Sequence, residues 1–388
     1  GAGSNIDEPR QLALLHELNT TFVKLIRSTG GNNEERALLL PALEGSPTQA
    51  RLNSLRHTIT ELKDKNLIAT VHYYGYWPFS VNIAGHTTFD TDTKNDAAST
   101  FNNIYRTLVT HGIPVILGEY GLLGFDKHTD VIEQGEKLKY FEFIGHELKD
   151  KKIASIWWDN GQHLNRETYV WSDPALFQMI QAGWTGRSAV GDRDLLYLRQ
   201  GYPIQDTELT VKLNGTKLVS LYAGEQLLKQ NADYSFSGST LLIQADALSR
   251  MVSKGDQLGK QAILTAKFNQ GADWTWKLVV SAKPELENAF GSTEAFSIPT
   301  LFHGDQLATM EAVYSSGEFT APQNWTSYKE FLTTFAPSYE TNQLILQPEW
   351  LSELHNGQIN LTFHFWSGEV IHYTLFKSGN QITGNALH

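Results

Sequence analysis

Glu8, in Ile6-Asp7-Glu8-Pro9-Arg10, and Glu119, in Ile116-Leu117-Gly118-Glu119-Tyr120-Gly121, are the two carboxylates whose settings suit chemistry. Glu119 closes an apolar run that opens at Gly112-Ile113-Pro114-Val115 and stops at glycine. Parallel strands covered by helices read as continuous runs of this kind, and the loops leaving their C-terminal ends form the active face of a β/α barrel. Glu8 precedes a proline, which stops a strand or opens a helix at its first turn. Two carboxyls ~5–5.5 Å apart, one protonated and one ionised, are what hydrolysis of a glycosidic bond with retention demands. Taken singly, the residues leave plainer readings open: a solvated glutamate after a strand, and acidic residues favoured by a helix dipole.

The elements that must position these groups follow a repeating grammar. Leu15, Leu18, Phe22 and Leu25 fall at helical spacing between Gln11 and Arg27, and Thr29-Gly30-Gly31-Asn32-Asn33 ends that helix. Ala37-Leu38-Leu39-Leu40 then runs into Pro41, and Leu52, Leu55, Ile59 and Leu62 give a second helical stripe before the strand Leu67-Ile68-Ala69-Thr70-Val71-His72-Tyr73-Tyr74. Phe101, Ile104, Tyr105 and Leu108 precede the Glu119 strand, and Leu138, Phe141, Gly145 and Leu148 precede Ile153-Ala154-Ser155-Ile156-Trp157-Trp158. Strands alternating with helices up to about residue 184 predict βα units and a parallel sheet. Trp157 and Trp158 alternate faces, so one of them packs behind the sheet. Beyond Trp184 the grammar changes to short alternating strands. Thr207 to Leu213 ends at Asn214-Gly215, the dipeptide of a type I′ hairpin turn, and Ser239 to Ile243, Ala262 to Phe268 and Trp274 to Val280 follow. This predicts an immunoglobulin-like sandwich. Ala282-Lys283-Pro284 reads as a linker to a second all-β domain, closed by a hairpin from Ile359 to Trp366 and Val370 to Phe376. The expected domains are 1–186, 187–284 and 285–388.

A chain of 388 residues with 41% hydrophobic content supplies enough for several cores. A formal charge of −11 with 31 basic residues argues against nucleic acid as a partner. No run reaches the ~18 apolar residues of a membrane span, and the absence of cysteine removes disulfides and thiolate metal sites. Ten Trp, fifteen Tyr and nineteen Phe suit flat apolar surfaces and sandwich cores alike. Gly1-Ala2-Gly3-Ser4-Asn5 reads as an added start, and no signal peptide is visible.

Five motifs in this order, Glu8-Pro9-Arg10, Arg27-Ser28-Thr29-Gly30-Gly31-Asn32-Asn33, His72-Tyr73-Tyr74, Ile116 to Gly121 and Trp158-Asp159-Asn160-Gly161, resemble glycoside hydrolase family 5, above all its subfamily 4 endo-β-1,4-glucanases. The later domains are similar to an X2-type immunoglobulin module and a family 46 carbohydrate-binding module. The resemblance implies Glu119 as nucleophile, Glu8 as acid/base, His72 and Tyr74 as the strand-end pair that orients the nucleophile and touches the sugar, and Trp158 as the platform under the −1 sugar. The family carries asparagine, a partner of the sugar's 2-hydroxyl, where this chain has Asp7. It also has some four strands before the acid/base, whereas seven residues precede Glu8, so the expected fold is the C-terminal half of a (β/α)8 TIM barrel followed by two β-sandwiches. The implied protein is a secreted, monomeric, cofactor-free and metal-free retaining endo-β-1,4-glucanase acting on cellulose, mixed-linkage glucan or xyloglucan. A non-catalytic polysaccharide-binding protein, and a mannanase or xylanase, remain the alternatives. In the last domain Trp325, in the turn-like Pro322-Gln323-Asn324-Trp325-Thr326, is the expected sugar platform; Trp350, after Pro348-Glu349, is a second candidate and Trp366 could face either way.

Overall fold

The computed structural model describes residues 7–252 and 257–387, so Gly1 to Ile6 lie outside the described residues. Strands β1 (Leu38–Pro41), β2 (Leu67–Tyr73), β3 (Val115–Tyr120) and β4 (Ala154–Trp157) form one parallel sheet in chain order. They alternate with helices α1 (Glu8–Ser28), α2 (Gln49–Leu62), α3 (Thr91–Thr107), α4 (Gln134–Asp150) and α5 (Pro174–Gly183). Leu40, Ala69, Val71 and Leu117 are wholly buried, as strands covered by helices require. Asp90 starts α3 by accepting the amide of Thr93 at 2.8 Å, an N-cap. Four parallel strands are half of the eight that close a barrel, and the outer strands β1 and β4 leave Leu39 and Ile156 exposed.

The stripe expected on α1 is corrected here. Val23 and Asn19 are buried, whereas Leu18, Phe22 and Leu25 are exposed. A barrel helix is flanked by helices on both sides; here the one long helix against α1 is α2, with His16 Nδ1 2.9 Å from Thr58 Oγ1, and Arg27 donates to Asp64, just past the end of α2, at 2.7 Å.

Two sheets follow. One pairs strands 190–191, 207–212, 240–243 and 234–237; the other pairs 195–199, 274–281, 259–268, 218–223 and 226–227. Trp274 and Trp276 are wholly buried in its core. Asn214-Gly215 does adopt the positive φ pair of a type I′ turn, 50° and 87°, and closes it with Thr216 N–H on the Leu213 carbonyl at 2.9 Å. The predicted hairpin is nonetheless absent, because strands 207–212 and 218–223 lie in different sheets. Asn214 Nδ2 instead ties the turn to the Ser188 carbonyl at 2.9 Å.

Residues 285–386 build a second pair of sheets, of four and five strands, and the closing hairpin of 357–365 with 370–378 forms as expected. Two short helices, α6 (Ala245–Met251) and α7 (Pro348–Glu353), were not foreseen. Trp350 requires a correction: it lies on α7, 2% exposed, with Nε1 donating to Thr320 Oγ1 at 3.4 Å, and is core rather than platform. Lys377 ends α7 by donating to the carbonyls of Leu351 and Leu354 at 3.0 and 2.6 Å, a cation on a helix C-terminus.

The described residues fall into two compact units. The first holds residues 7–77, 90–123 and 143–173; the second holds 78–89, 124–142 and everything from Pro174 onward. Within the second unit, Asn82 joins three stretches of chain, its Nδ2 donating to the carbonyls of Val131 and Ala308, both at 3.2 Å, and its own carbonyl accepting Phe331 N–H at 3.1 Å.

Candidate active site

A one-residue bulge aims Glu119. Val71 is opposite Leu117, but His72 is opposite Glu119, so Gly118 is an extra residue in β3. Simple alternation would turn Glu119 to the side of the buried Leu117; the extra residue returns it to the side of His72. Glycine is required there, since a Cβ on Gly118 would lie 2.5 Å from Oγ1 of Thr70. A second glycine, Gly45 at φ 65°, closes on the other side of the histidine, where a Cβ would lie 2.8 Å from the imidazole.

The result is a tight group at the C-terminal ends of β2 and β3. The Tyr74 phenol donates a short hydrogen bond to Glu119 Oε2, and His72 Nδ1 stands 3.5 Å from the same oxygen. The phenol's hydrogen bond and the neighbouring imidazole fix the orientation of the carboxylate, while the Glu119 side chain stays 30% open to solvent. Tyr120, buried behind it, has its phenol pushed up to about 12 by burial and acts as a packing group. Its carbonyl accepts the Trp158 amide at 3.0 Å, which places Trp158 directly beyond β4. The Trp158 indole is 43% exposed. Trp157 packs against His163 and Trp171, with ring centroids 4.3 and 5.6 Å away. Burial works against the Asp159 charge, but backbone N–H groups of His163 and Gly161 at 3.1 and 2.9 Å hold its carboxyl below the usual range.

Glu8 is the first residue of α1, and its carboxylate accepts Arg51 Nε at 2.8 Å. Arg51, on α2 and nearly buried, also donates to Glu44 at 2.8 Å and to the Leu43 carbonyl at 3.2 Å. Glu119, His72 and Tyr74 are thus brought together, whereas Glu8 and Glu119 share no hydrogen-bond partner among the described residues. Asp7 precedes α1 without a side-chain capping bond, 3.8 Å from Arg10. Trp325 is 55% exposed, and Trp366 is half-buried. Sequence reasoning missed Arg51, Glu44, Gly45 and Thr70. Only the glycine before Glu119 carried a local signal for any of this.

Three family profiles cover most of the chain: cellulase (glycosyl hydrolase family 5) at residues 7–164, carbohydrate binding domain X2 at 193–278, and a further carbohydrate binding domain, CBM46, at 282–385. Endoglucanase B of Paenibacillus lautus is 51% identical over 384 residues, which are 99% of this chain and 68% of that protein. The full-length tri-modular endo-β-1,4-glucanase B of Bacillus halodurans superposes with a TM-score of 0.96 at 48% identity, covering 97% of this chain and 70% of that one. A tri-modular family 5, subfamily 4 endo-β-1,4-glucanase of Bacillus licheniformis, solved with cellotetraose, superposes at 0.79 with 26% identity, covering 97% and 71%. A partial parallel barrel with a strand-end glutamate, followed by two all-β modules, defines a modular glycoside hydrolase. The chain belongs to glycoside hydrolase family 5, joined to X2 and family 46 carbohydrate-binding modules.

Proposed function

We propose that the chain is the nucleophile-bearing part of an endo-β-1,4-glucanase that cleaves β-glucans with retention of configuration. The observation that carries this is the Glu119 carboxylate, oriented by the Tyr74 phenol beside His72 at a strand end, in a chain half identical to an endoglucanase over nearly all its length. In the proposed reaction Glu119 attacks the anomeric carbon while Glu8 protonates the departing oxygen. Glu8 then takes a proton from the water that releases the glycosyl-enzyme. The two carboxyls must work ~5–5.5 Å apart for this outcome, so Glu8 exchanges its Arg51 partner for the glycosidic oxygen when substrate enters. Trp158 stacks under the reacting sugar, and Asp7 takes the place facing the 2-hydroxyl. The C-terminal module contributes Trp325 as a platform, since burying a sugar face on indole supplies about 1–2 kcal/mol. Insoluble or long-chain substrate implies an extracellular enzyme, and among the described residues no helix is long and apolar enough to cross a membrane. Mixed-linkage glucan and xyloglucan fit this reading best, because an exposed platform suits long soluble chains.

The test is Glu119→Gln in a chain extended upstream to the length of the Paenibacillus lautus relative. Reducing-sugar release should fall at least several hundredfold, since each tenfold is about 1.4 kcal/mol of lost transition-state stabilisation, with the melting temperature unchanged. Near-normal activity would remove Glu119 from the mechanism.

A further inference from the structure

Lys329 is wholly buried, next to a loop whose most prominent residue is not. Its Nζ donates to the carbonyls of Thr320, Gln323 and Thr326 at 2.7, 3.0 and 3.1 Å. An ammonium has three donors and no acceptor, so every donor is spent on this one loop. Gln323 and Thr326 are the residues on either side of Asn324-Trp325, so the charge holds both flanks of the exposed indole. The far ends of the loop are held as well. Lys329 N–H pairs with the Met310 carbonyl at 2.8 Å and Ala312 N–H with the Ser327 carbonyl at 2.9 Å, while the Thr320 hydroxyl receives the Trp350 indole N–H.

Burying an ammonium is costly, and burial pushes Lys329 down to about 8. An apolar side chain of like length would fill the space at no electrostatic cost, yet it would leave three carbonyls unpaired. A charge held at a cost, with all its donors turned on one loop, gives that loop a single geometry.

We propose that Lys329 is a positioning residue for polysaccharide recognition: its ammonium fixes the 320–326 loop so that Trp325 presents its ring to the glucan. This rests on the reading of Trp325 as a sugar platform. It adds to that reading the group through which the platform is held.

The experiment measures affinity for soluble xyloglucan, and hydrogen exchange of the peptide spanning 318–328, in the chain as it stands. Trp325→Ala should weaken binding about tenfold. Lys329→Met should weaken it to the same level and speed exchange of the loop amides at least roughly tenfold, and the double variant should bind no worse than either single one. The chain has no cysteine, so Lys329→Cys can be alkylated selectively in denaturant and refolded. An aminoethyl group, which rebuilds the ammonium, should restore both binding and protection, and a propyl group of equal length should restore neither. Wild-type affinity in Lys329→Met beside weakened Trp325→Ala would overturn the proposal, as would equal rescue by both alkyl groups. Unchanged affinity in Trp325→Ala would sink the platform reading and the proposal with it, while the exchange data would still report separately whether Lys329 orders the loop.

Discussion

Gly118 decides where Glu119 points. Gly118→Ala must push its Cβ out of Thr70, 2.5 Å away, and the cheapest relief is to straighten the bulge, which turns Glu119 away from His72. The expected outcome is a loss of about 1–3 kcal/mol of stability together with nearly all glucanase activity of a chain with the complete barrel. Thr70→Ala in the same chain removes the clashing hydroxyl and should return a measurable part of both. Tyr74→Phe deletes one donor to Glu119 without changing shape, and kcat should fall by roughly ten- to a hundredfold with melting little altered; an unchanged kcat would show that the phenol does not hold the working carboxylate. Glu119, His72 and Tyr74 were legible because each stands at the end of an apolar run, and that position is written in the local pattern. Arg51 was not, because an arginine amid Gln49-Ala50-Arg51-Leu52 looks like any solvated helix charge until the fold brings Glu8 to it from 43 positions away. Lys329 was hidden for the same reason: burial of a charge is a property of the whole module.

Elements show where local patterns compete. Asn214-Gly215 makes the turn its chemistry dictates, but turn type does not choose the partner strand, and the chain leaves that turn for the opposite sheet. Pro348 opens α7 at its first position, and that short helix, which the sequence reading did not foresee, is enough to point the Trp350 indole inward. Trp350→Ala should therefore cost about 3–5 kcal/mol, seen as a large drop in melting temperature, in contrast to Trp325→Ala, which should melt as the wild type does. At the start of α4, Glu133 accepts Gly135 N–H at 2.7 Å and faces Asp194. Burial first, and the Asp194 carboxylate second, raise its carboxyl well above the ordinary value. A group raised in the folded state contributes stability fully below its unfolded value and loses it as pH rises through the folded one. Thermal melts of the wild type should accordingly decline as pH rises above the ordinary carboxylate range, and Glu133→Gln should flatten that decline and melt ~2–4 °C higher there for each kcal/mol recovered. A parallel decline in the variant would place the titrating group elsewhere.

At the scale of the whole molecule, two stretches that lie among the barrel elements in sequence, 78–89 and 124–142, the second ending within α4, belong to the same compact unit as the modules that follow. Arg187 grips Glu142 with two bonds of 2.6 and 2.7 Å, and Lys127 donates to Glu330 at 2.5 Å and to Thr333. Asn82→Ala would strip two buried carbonyls of their donor and should cost about 1–3 kcal/mol, with protease access rising first in 78–89 and 124–142; a variant as resistant as the wild type would show these segments are held by other bonds. The succession of parallel then antiparallel grammar was legible from residue spacing alone, but this membership was not, since it depends on contacts between stretches about two hundred positions apart, such as Asn82 and Ala308. For anyone exchanging binding modules between related hydrolases, the cut that looks natural in the sequence, after the last barrel helix, would sever Arg187 from Glu142 and orphan Asn82. A graft that keeps its grip must carry 78–89 and 124–142 from the same donor as the module they hold, so the transferable piece is discontinuous in the gene although continuous in space.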